Sequence, residues 1–211
     1  IALHDDPGRL LQMGIDTHFG SARFKNPNTL EVDGVGTFTS KRILLATGAK
    51  PKIPNIKGLD QVDYLTYQNV FDLELYPGSI GIIGAGPVGI ELAQTFNRLG
   101  SKVVVFEVKD RILNQEDADV SVCMKNILQK EGVEIFLESD IHDISVDKNQ
   151  KTILTSREKH FIFDSILVAT GREPAINGLN LEAANIEVAN GTVKSQSTLV
   201  TSNRRVWAVG D

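Results

Sequence analysis

Apolar residues follow two rhythms along this chain. Short continuous runs, Ile43-Leu44-Leu45-Ala46, Ser79 to Ile83 and Val103-Val104-Val105-Phe106, fit strands buried on both faces, as in a parallel sheet. Between and after them the apolar residues recur at helical spacing. Val88, Leu92, Ala93, Phe96 and Leu99 predict a helix from Pro87 to Leu99, with Pro87 in the first turn and Gly100 ending it. Val120, Cys123, Met124, Ile127 and Leu128 predict a second helix from about Asp117 to Lys130, stopped by Gly132, and put Cys123 on its core stripe. Residues 15–24, 28–33, 37–47 and 133–137 read as strands, as do 141–147, 151–155 and 160–169, and a last strand runs from Arg205 to Val209. The order strand–helix–strand–helix–strand followed by a β-meander predicts an α/β fold. Pro51, Pro54 and Gly58, interleaved with Lys50, Lys52 and Lys57, mark an interdomain linker whose lysines read as solvated.

Composition narrows the functional classes. The 211 residues carry 22 Lys and Arg against 27 Asp and Glu, a net charge of −5. That balance argues against a nucleic-acid grip or a polybasic membrane surface. One cysteine excludes a disulfide framework or a multi-cysteine zinc site within the chain and suits a reducing, cytoplasmic compartment. His4, His18, His142 and His160 show no metal-ligand spacing, so no metal site is expected. No apolar run approaches the length that spans a bilayer, and no signal-peptide pattern is seen. The first residue is Ile1, which suggests either processing or a piece of something longer.

An internal repeat favours the second alternative. Shifted by 123 residues, Asn28–Pro51 aligns without a gap on Lys151–Pro174, with identities at Thr29/Thr152, Phe38/Phe161, Ile43/Ile166, Leu44/Leu167, Ala46/Ala169, Thr47/Thr170, Gly48/Gly171 and Pro51/Pro174. Two hairpins converging on common turn chemistry is the alternative. A true repeat implies one and a fraction copies of a domain. The second copy has its glycine loop 87 residues before Gly171, so the first copy's loop would lie upstream of residue 1.

That loop carries the chemistry. Gly84-Ala85-Gly86-Pro87-Val88-Gly89 follows an apolar strand and opens a helix, and the next strand ends at Glu107, 23 residues after the first glycine. Gly84 permits the tight turn, Gly86 lets backbone N–H groups approach a pyrophosphate, and Gly89 lets helix and strand pack closely. The helix N-terminus favours the phosphates. Glu107 can accept hydrogen bonds from the adenosine ribose and repel a 2′-phosphate, which favours NAD(H) over NADP(H). Lys109 and Arg111 could instead hold that phosphate. Glu91, in the first helical turn, is either a solvated acid or a contact at the nicotinamide end.

With ILLATGAKP, IGIIGAGPVGIELAQTF, VVVFE, ILVATGREP and VWAVGD in this order, the chain resembles the pyridine nucleotide-disulfide oxidoreductases, nearest their dihydrolipoamide dehydrogenase and mercuric reductase branch. In that family an FAD domain is interrupted by an NAD(P)H domain and followed by a dimerisation domain. The resemblance implies a partial FAD domain over 1–65, a Rossmann-like NAD(P)H domain over 66–195, and a return to the FAD domain over 196–211. It implies nicotinamide-coenzyme contacts at Gly84, Ala85, Gly86, Pro87, Val88, Gly89, Glu91, Glu107 and Gly171. On the FAD side it implies Gly20, Ser21, Ala22, Ala46, Thr47, Gly48 and Asp211, with Arg172 facing the flavin or held in a structural ion pair. The family's C-x-x-x-x-C redox pair, its FAD glycine loop and its C-terminal His-Glu pair are absent from these residues. The expectation is a fragment, inactive alone, of a homodimeric flavoenzyme that passes hydride from NADH to flavin and on to a disulfide. A two-dinucleotide flavoprotein without a dithiol, such as an NADH oxidase or ferredoxin reductase, is the alternative. The electron acceptor stays open.

Overall fold

A computed structural model describes residues 6–147, 150–155 and 159–210. The chain opens with α1 (Pro7–Gln12), then β1 (Ala22–Asn26), β2 (Thr29–Val32), β3 (Gly36–Thr39), β4 (Ile43–Leu45) and β5 (Ala49–Pro51). Next come β6 (Ser79–Ile83), α2 (Pro87–Arg98), β7 (Lys102–Phe106), α3 (Ala118–Glu131) and β8 (Glu134–Phe136). A second set of strands follows: β9 (Ile141–Asp147), β10 (Gln150–Thr155), β11 (His160–Phe163), β12 (Ser165–Val168) and β13 (Arg172–Pro174). The tail holds β14 (Val188–Ala189), β15 (Thr192–Val193) and β16 (Val206–Ala208).

These elements form two units, one of Ile1–Lys50 with Pro174–Asp211 and one of Pro51–Glu173. The chain passes from one to the other within β5 and β13. These divides differ from the sequence-based ones at 65/66 and 195/196, and side-chain burial gives the reason. Leu59 and Val62 are buried with Ile83, Phe106 and Ile144 in the second unit, while Leu181, Ala184 and Ile186 are buried with Phe24, Ile43 and Val206 in the first. The residues that directly follow the stretch read as a linker are therefore core of the second unit.

The second unit is built on a four-stranded parallel sheet in the order β12-β6-β7-β8. The apolar runs sit where a parallel sheet needs them: Ile80, Ile82, Val103, Val105 and Leu167 point to one buried cluster, with Ile90, Ala93 and Phe96 of α2. Ile83, Val104, Phe106, Ile166 and Val168 point to the other, with Ile141 and Ile144 of the antiparallel meander β9-β10-β11. This is the α/β, Rossmann-like arrangement that the alternation of elements predicts. Among the described residues no helix is long and apolar enough to cross a membrane.

The helices start and stop close to the expected places, but α3 turns a different face inward. Ser121 and Leu128 are its buried residues, and Met124 packs against the same core. The Ser121 hydroxyl donates to the Ile112 carbonyl at 2.6 Å, which ties that polar residue to the core side. Cys123 is exposed, as are Val120 and Ile127 at 42% and 39%. The expected core placement of Cys123 is thus corrected: the stripe is rotated because hydrogen-bonded Ser121 takes an inward position.

In the first unit β1-β2-β3 form an antiparallel meander, and β4 pairs in parallel with β16. Residues 15–21 are irregular rather than strand, and α1, which the periodicity does not mark, has no buried residue. The expected single strand over 37–47 is two strands. Ser40 breaks it by donating from Oγ to the Arg42 carbonyl at 2.7 Å. Ile43 and Leu45 are core, but Leu44 is 61% exposed, so β4 is covered on one face rather than two.

The repeat survives in the hydrogen-bond register. Thr29 pairs with Thr39, Leu30 with Phe38 and Glu31 with Thr37. Their counterparts 123 residues on pair identically: Thr152 with Ile162, Ile153 with Phe161 and Leu154 with His160. Each meander leads into a parallel-paired strand, β4 or β12, that is followed by an Ala-Thr-Gly turn with the glycine at positive φ, 66° at Gly48 and 124° at Gly171. Shared register across three consecutive residues goes beyond what two unrelated hairpins of similar composition require.

Candidate functional site: a cleft at the carboxyl edge of the parallel sheet

The strands β12, β6 and β7 all deliver their C-terminal ends to one edge, where open α/β sheets bind ligands. A cleft of about 770 Å³ opens there, within the size range of cofactor sites. Its lining includes Gly84, Gly86, Pro87, Val88, Glu107 and Gly171. Six of the residues predicted for the nicotinamide coenzyme therefore share one space, although they come from three separate strand ends.

The loop between β6 and α2 is tightly fixed. Gly84 has φ +102°, and a Cβ there would come within 2.5 Å of the Ala169 carbonyl oxygen. A Cβ on Gly89 would run into the Gly84 carbonyl, so the helix can lie this close to the strand only with glycine there. Gly86 differs: a Cβ would meet no protein atom within 4 Å, so the space beside it is open. Gly86 caps α2 without a side-chain hydrogen bond to the helix, and Pro87 begins the helix. Helix geometry leaves the N–H groups of Gly86, Val88 and Gly89 without intrahelical carbonyl partners, with the positive end of the helix dipole behind them. Donors, open space and a missing side chain coincide, and this set fits a pyrophosphate.

Ala85 is buried and held from both sides. Its N–H donates to Glu107 Oε2 at 2.8 Å, and its carbonyl accepts from the Leu113 N–H at 2.8 Å. Glu107 Oε1 accepts from the Lys109 N–H at 3.0 Å. Each carboxylate oxygen has a second lone pair, so Glu107 can still accept from a pair of vicinal hydroxyls. The clamp on the loop is a role that spacing alone does not reveal. Arg111 does not line the cleft; its Nη2 donates to the Asn114 carbonyl at 2.9 Å.

The other predicted residues are more dispersed. Glu91 is exposed on α2 and is not among the lining residues. Gly20, Ser21, Ala22, Ala46, Thr47 and Gly48 belong to the first unit, and the Gly48 carbonyl accepts from Ala175 N–H at 2.9 Å. Gly20 has a packing reason as well: a Cβ there would lie 2.6 Å from the Asp33 carbonyl. Arg172 lines the cleft of the second unit, apart from the rest of the FAD set in the sequence reading. Asp211 lies outside the described residues.

Sequence reasoning missed part of the wall. Lys52 lines the cleft rather than only solvating a linker, and its backbone is built in: Lys52 N–H donates to the Gly171 carbonyl at 3.0 Å and Thr170 Oγ1 donates to the Lys52 carbonyl at 2.7 Å. Tyr67, Asn55, Ser139 and Asp140 line it too. None belongs to a local motif, and only the tertiary fold brings them to this edge.

The family profile for pyridine nucleotide-disulphide oxidoreductases matches residues 8–211. A mercuric reductase of Bacillus cereus is 35% identical over 202 residues, covering 94% of this chain and 32% of that protein. A dihydrolipoyl dehydrogenase of Acholeplasma laidlawii is 31% identical over 207 residues, 96% of this chain and 60% of that protein. Among solved structures, the HOCl-induced flavoprotein disulfide reductase RclA of Escherichia coli superposes with a TM-score of 0.89 at 32% identity, covering 96% of this chain and 47% of that one. The chain thus spans between about a third and three-fifths of the length of these relatives. With a profile match over nearly its whole length and the same fold, the chain belongs to the pyridine nucleotide-disulphide oxidoreductase family.

Proposed function

We propose that the second unit is the nicotinamide-dinucleotide site of a flavin-dependent disulfide oxidoreductase, that it takes NAD(H) in preference to NADP(H), and that the first unit is part of the flavin-binding domain. The observation that carries this reading is the single cleft that gathers the open side of Gly86, the first-turn amides of α2 and the Glu107 carboxylate.

When bound, the reduced nicotinamide supplies a hydride and the flavin accepts it. The chain's own part is to bind and orient. The amides of Gly86, Val88 and Gly89 hold the two phosphates, and Glu107 accepts from the adenosine ribose hydroxyls while keeping the loop in place through Ala85. Gly171, at the end of β12, lines the opposite end. The choice of NAD(H) rests on charge. The cleft lining as a whole is balanced, Glu107, Glu116 and Asp140 against Lys52, Lys109 and Arg172, so the preference comes from Glu107 itself, whose carboxylate at the ribose disfavours a further 2′-phosphate.

Gly20, Ser21, Ala22, Ala46, Thr47, Gly48 and Asp211 are the proposed flavin contacts. Gly48 and Gly171 end equivalent strands of the repeat, which supports a dinucleotide beside each. The chain has one cysteine, so the redox disulfide of this reading is supplied from outside these residues.

Calorimetric titration of the 211-residue chain with NADH and with NADPH tests the proposal. It predicts binding of both with NADH the tighter. Tighter NADPH binding would reverse the coenzyme assignment, and failure to bind either would remove the site.

A further inference from the structure

We infer that Tyr67 positions the nicotinamide end of the coenzyme, its ring serving as the face on which the nicotinamide lies. This rests on the dinucleotide reading above and adds a residue that no sequence motif marks.

The direction of the ligand follows from the strand order. The phosphates lie at the loop after β6, and Glu107 at the end of β7 takes the adenosine ribose. In the order β12-β6-β7-β8 the remaining half of the dinucleotide must then run the other way, over the carboxyl end of β12. Leu65 extends the sheet at that side. It forms a parallel bridge with Leu167, its N–H donating to the Ile166 carbonyl at 2.7 Å and its carbonyl accepting from the Val168 N–H at 2.8 Å. Because the bridge is parallel, the chain leaves Leu65 toward the same edge as Thr170 and Gly171. Tyr67, two residues on, lines the cleft there. The first unit has the same extension: β16 flanks β4 in parallel, with Trp207 opposite Leu44, the repeat partner of Leu167.

The support beneath Tyr67 is rigid. Thr66 is 7% exposed. Its N–H donates to Asn69 Oδ1 at 2.7 Å, its Oγ1 accepts from the Gln68 N–H at 3.2 Å, and its carbonyl accepts from the Val70 N–H at 3.0 Å. Tyr67 is held within this closed turn, so little ordering is left for ligand binding.

The aromatic residues of the cleft are Tyr67 and Phe106. Phe106 is 1% exposed and packs against Phe136, Phe161 and Phe163, so it forms the floor. Tyr67 is half-buried and is part of the cleft wall. A flat heteroaromatic ring gains from stacking on such a face, and the positive charge of the oxidised nicotinamide strengthens the contact.

The test compares NAD⁺ with ADP-ribose, which lacks the nicotinamide, by titration of the unmodified chain, Tyr67→Phe and Tyr67→Ala. The inference predicts that Tyr67→Ala weakens NAD⁺ about tenfold, leaves ADP-ribose within about twofold, and that Tyr67→Phe retains NAD⁺ affinity. Equal weakening of both ligands, no weakening of either, or loss of NAD⁺ affinity in Tyr67→Phe equal to that in Tyr67→Ala would overturn it. An unmodified chain that binds neither ligand would instead remove the dinucleotide reading beneath it.

Discussion

Glu107 Oε2 accepts the backbone N–H of Ala85 at 2.8 Å, across 22 residues of sequence. The carboxylate that would select the coenzyme's ribose is therefore also a strut of the loop that would hold its phosphates. Removing it affects both, and the two effects can be separated by the choice of replacement.

Glu107→Gln keeps an acceptor for Ala85 and loses the charge. It should bind NADH within severalfold of the unmodified chain and bind NADPH more tightly than the unmodified chain does. Glu107→Ala loses the charge-assisted hydrogen bonds, worth about 1.5–3 kcal/mol, and should lower stability and weaken both coenzymes. Paired titrations and urea unfolding of the two variants check this. A Glu107→Ala protein as stable as the original would show that the strut is idle.

The glycines of the loop should respond in opposite ways. Gly86→Ala places its methyl in open space at an extended φ of −75° and ψ of −177°. It should change stability by less than about 0.5 kcal/mol while weakening NADH strongly, because the methyl occupies the approach to the amides. Gly84→Ala sets a side chain at φ +102° against the Ala169 carbonyl and should cost at least about 1–3 kcal/mol in stability. Thermal unfolding and coenzyme titration of both variants give the comparison. An unstable Gly86→Ala or an undisturbed Gly84→Ala would contradict it.

The legible part of this molecule lies where local pattern and tertiary packing agree. The parallel strands announce themselves because both faces are buried, and the glycine loop because its strand and helix flank it. Period alone does not give the rotation of α3, because Ser121, bonded to the Ile112 carbonyl, is the residue that faces inward and leaves Cys123 outside. The site's wall was invisible for a different reason. Lys52 and Tyr67 reach the cleft through pairings with Gly171 and the β12 strand, more than a hundred residues away for Lys52, and no local spacing encodes such contacts. The repeat was legible as eight identities, but its register becomes plain only in the ladder.

Acid should loosen the packing of α2 on α3. Arg98 donates to Glu131 through Nε at 3.0 Å and Nη2 at 2.7 Å, and Gln94 donates to the same carboxylate at 3.1 Å. The hydrogen bonds from Arg98 hold the Glu131 carboxyl below the usual glutamate range. A carboxyl with a lowered folded-state pKa contributes stability above its unfolded value, and that contribution is lost as pH falls through the folded value. Glu131→Gln should therefore be less stable than the original at neutral pH. The gap should close in acid, below the ordinary glutamate pKa of about 4.3. Urea unfolding across that range measures it. A gap that stays constant with pH would show that the pair contributes no charge-dependent stability.

The placement of the phosphates against the first turn of α2 is tested most directly by amide NMR of the ¹⁵N-labelled chain titrated with NADH. The amide signals of Gly86, Val88 and Gly89 should move most and saturate together with the coenzyme fluorescence. Saturation that leaves these three unmoved, with the shifts elsewhere, would contradict the account.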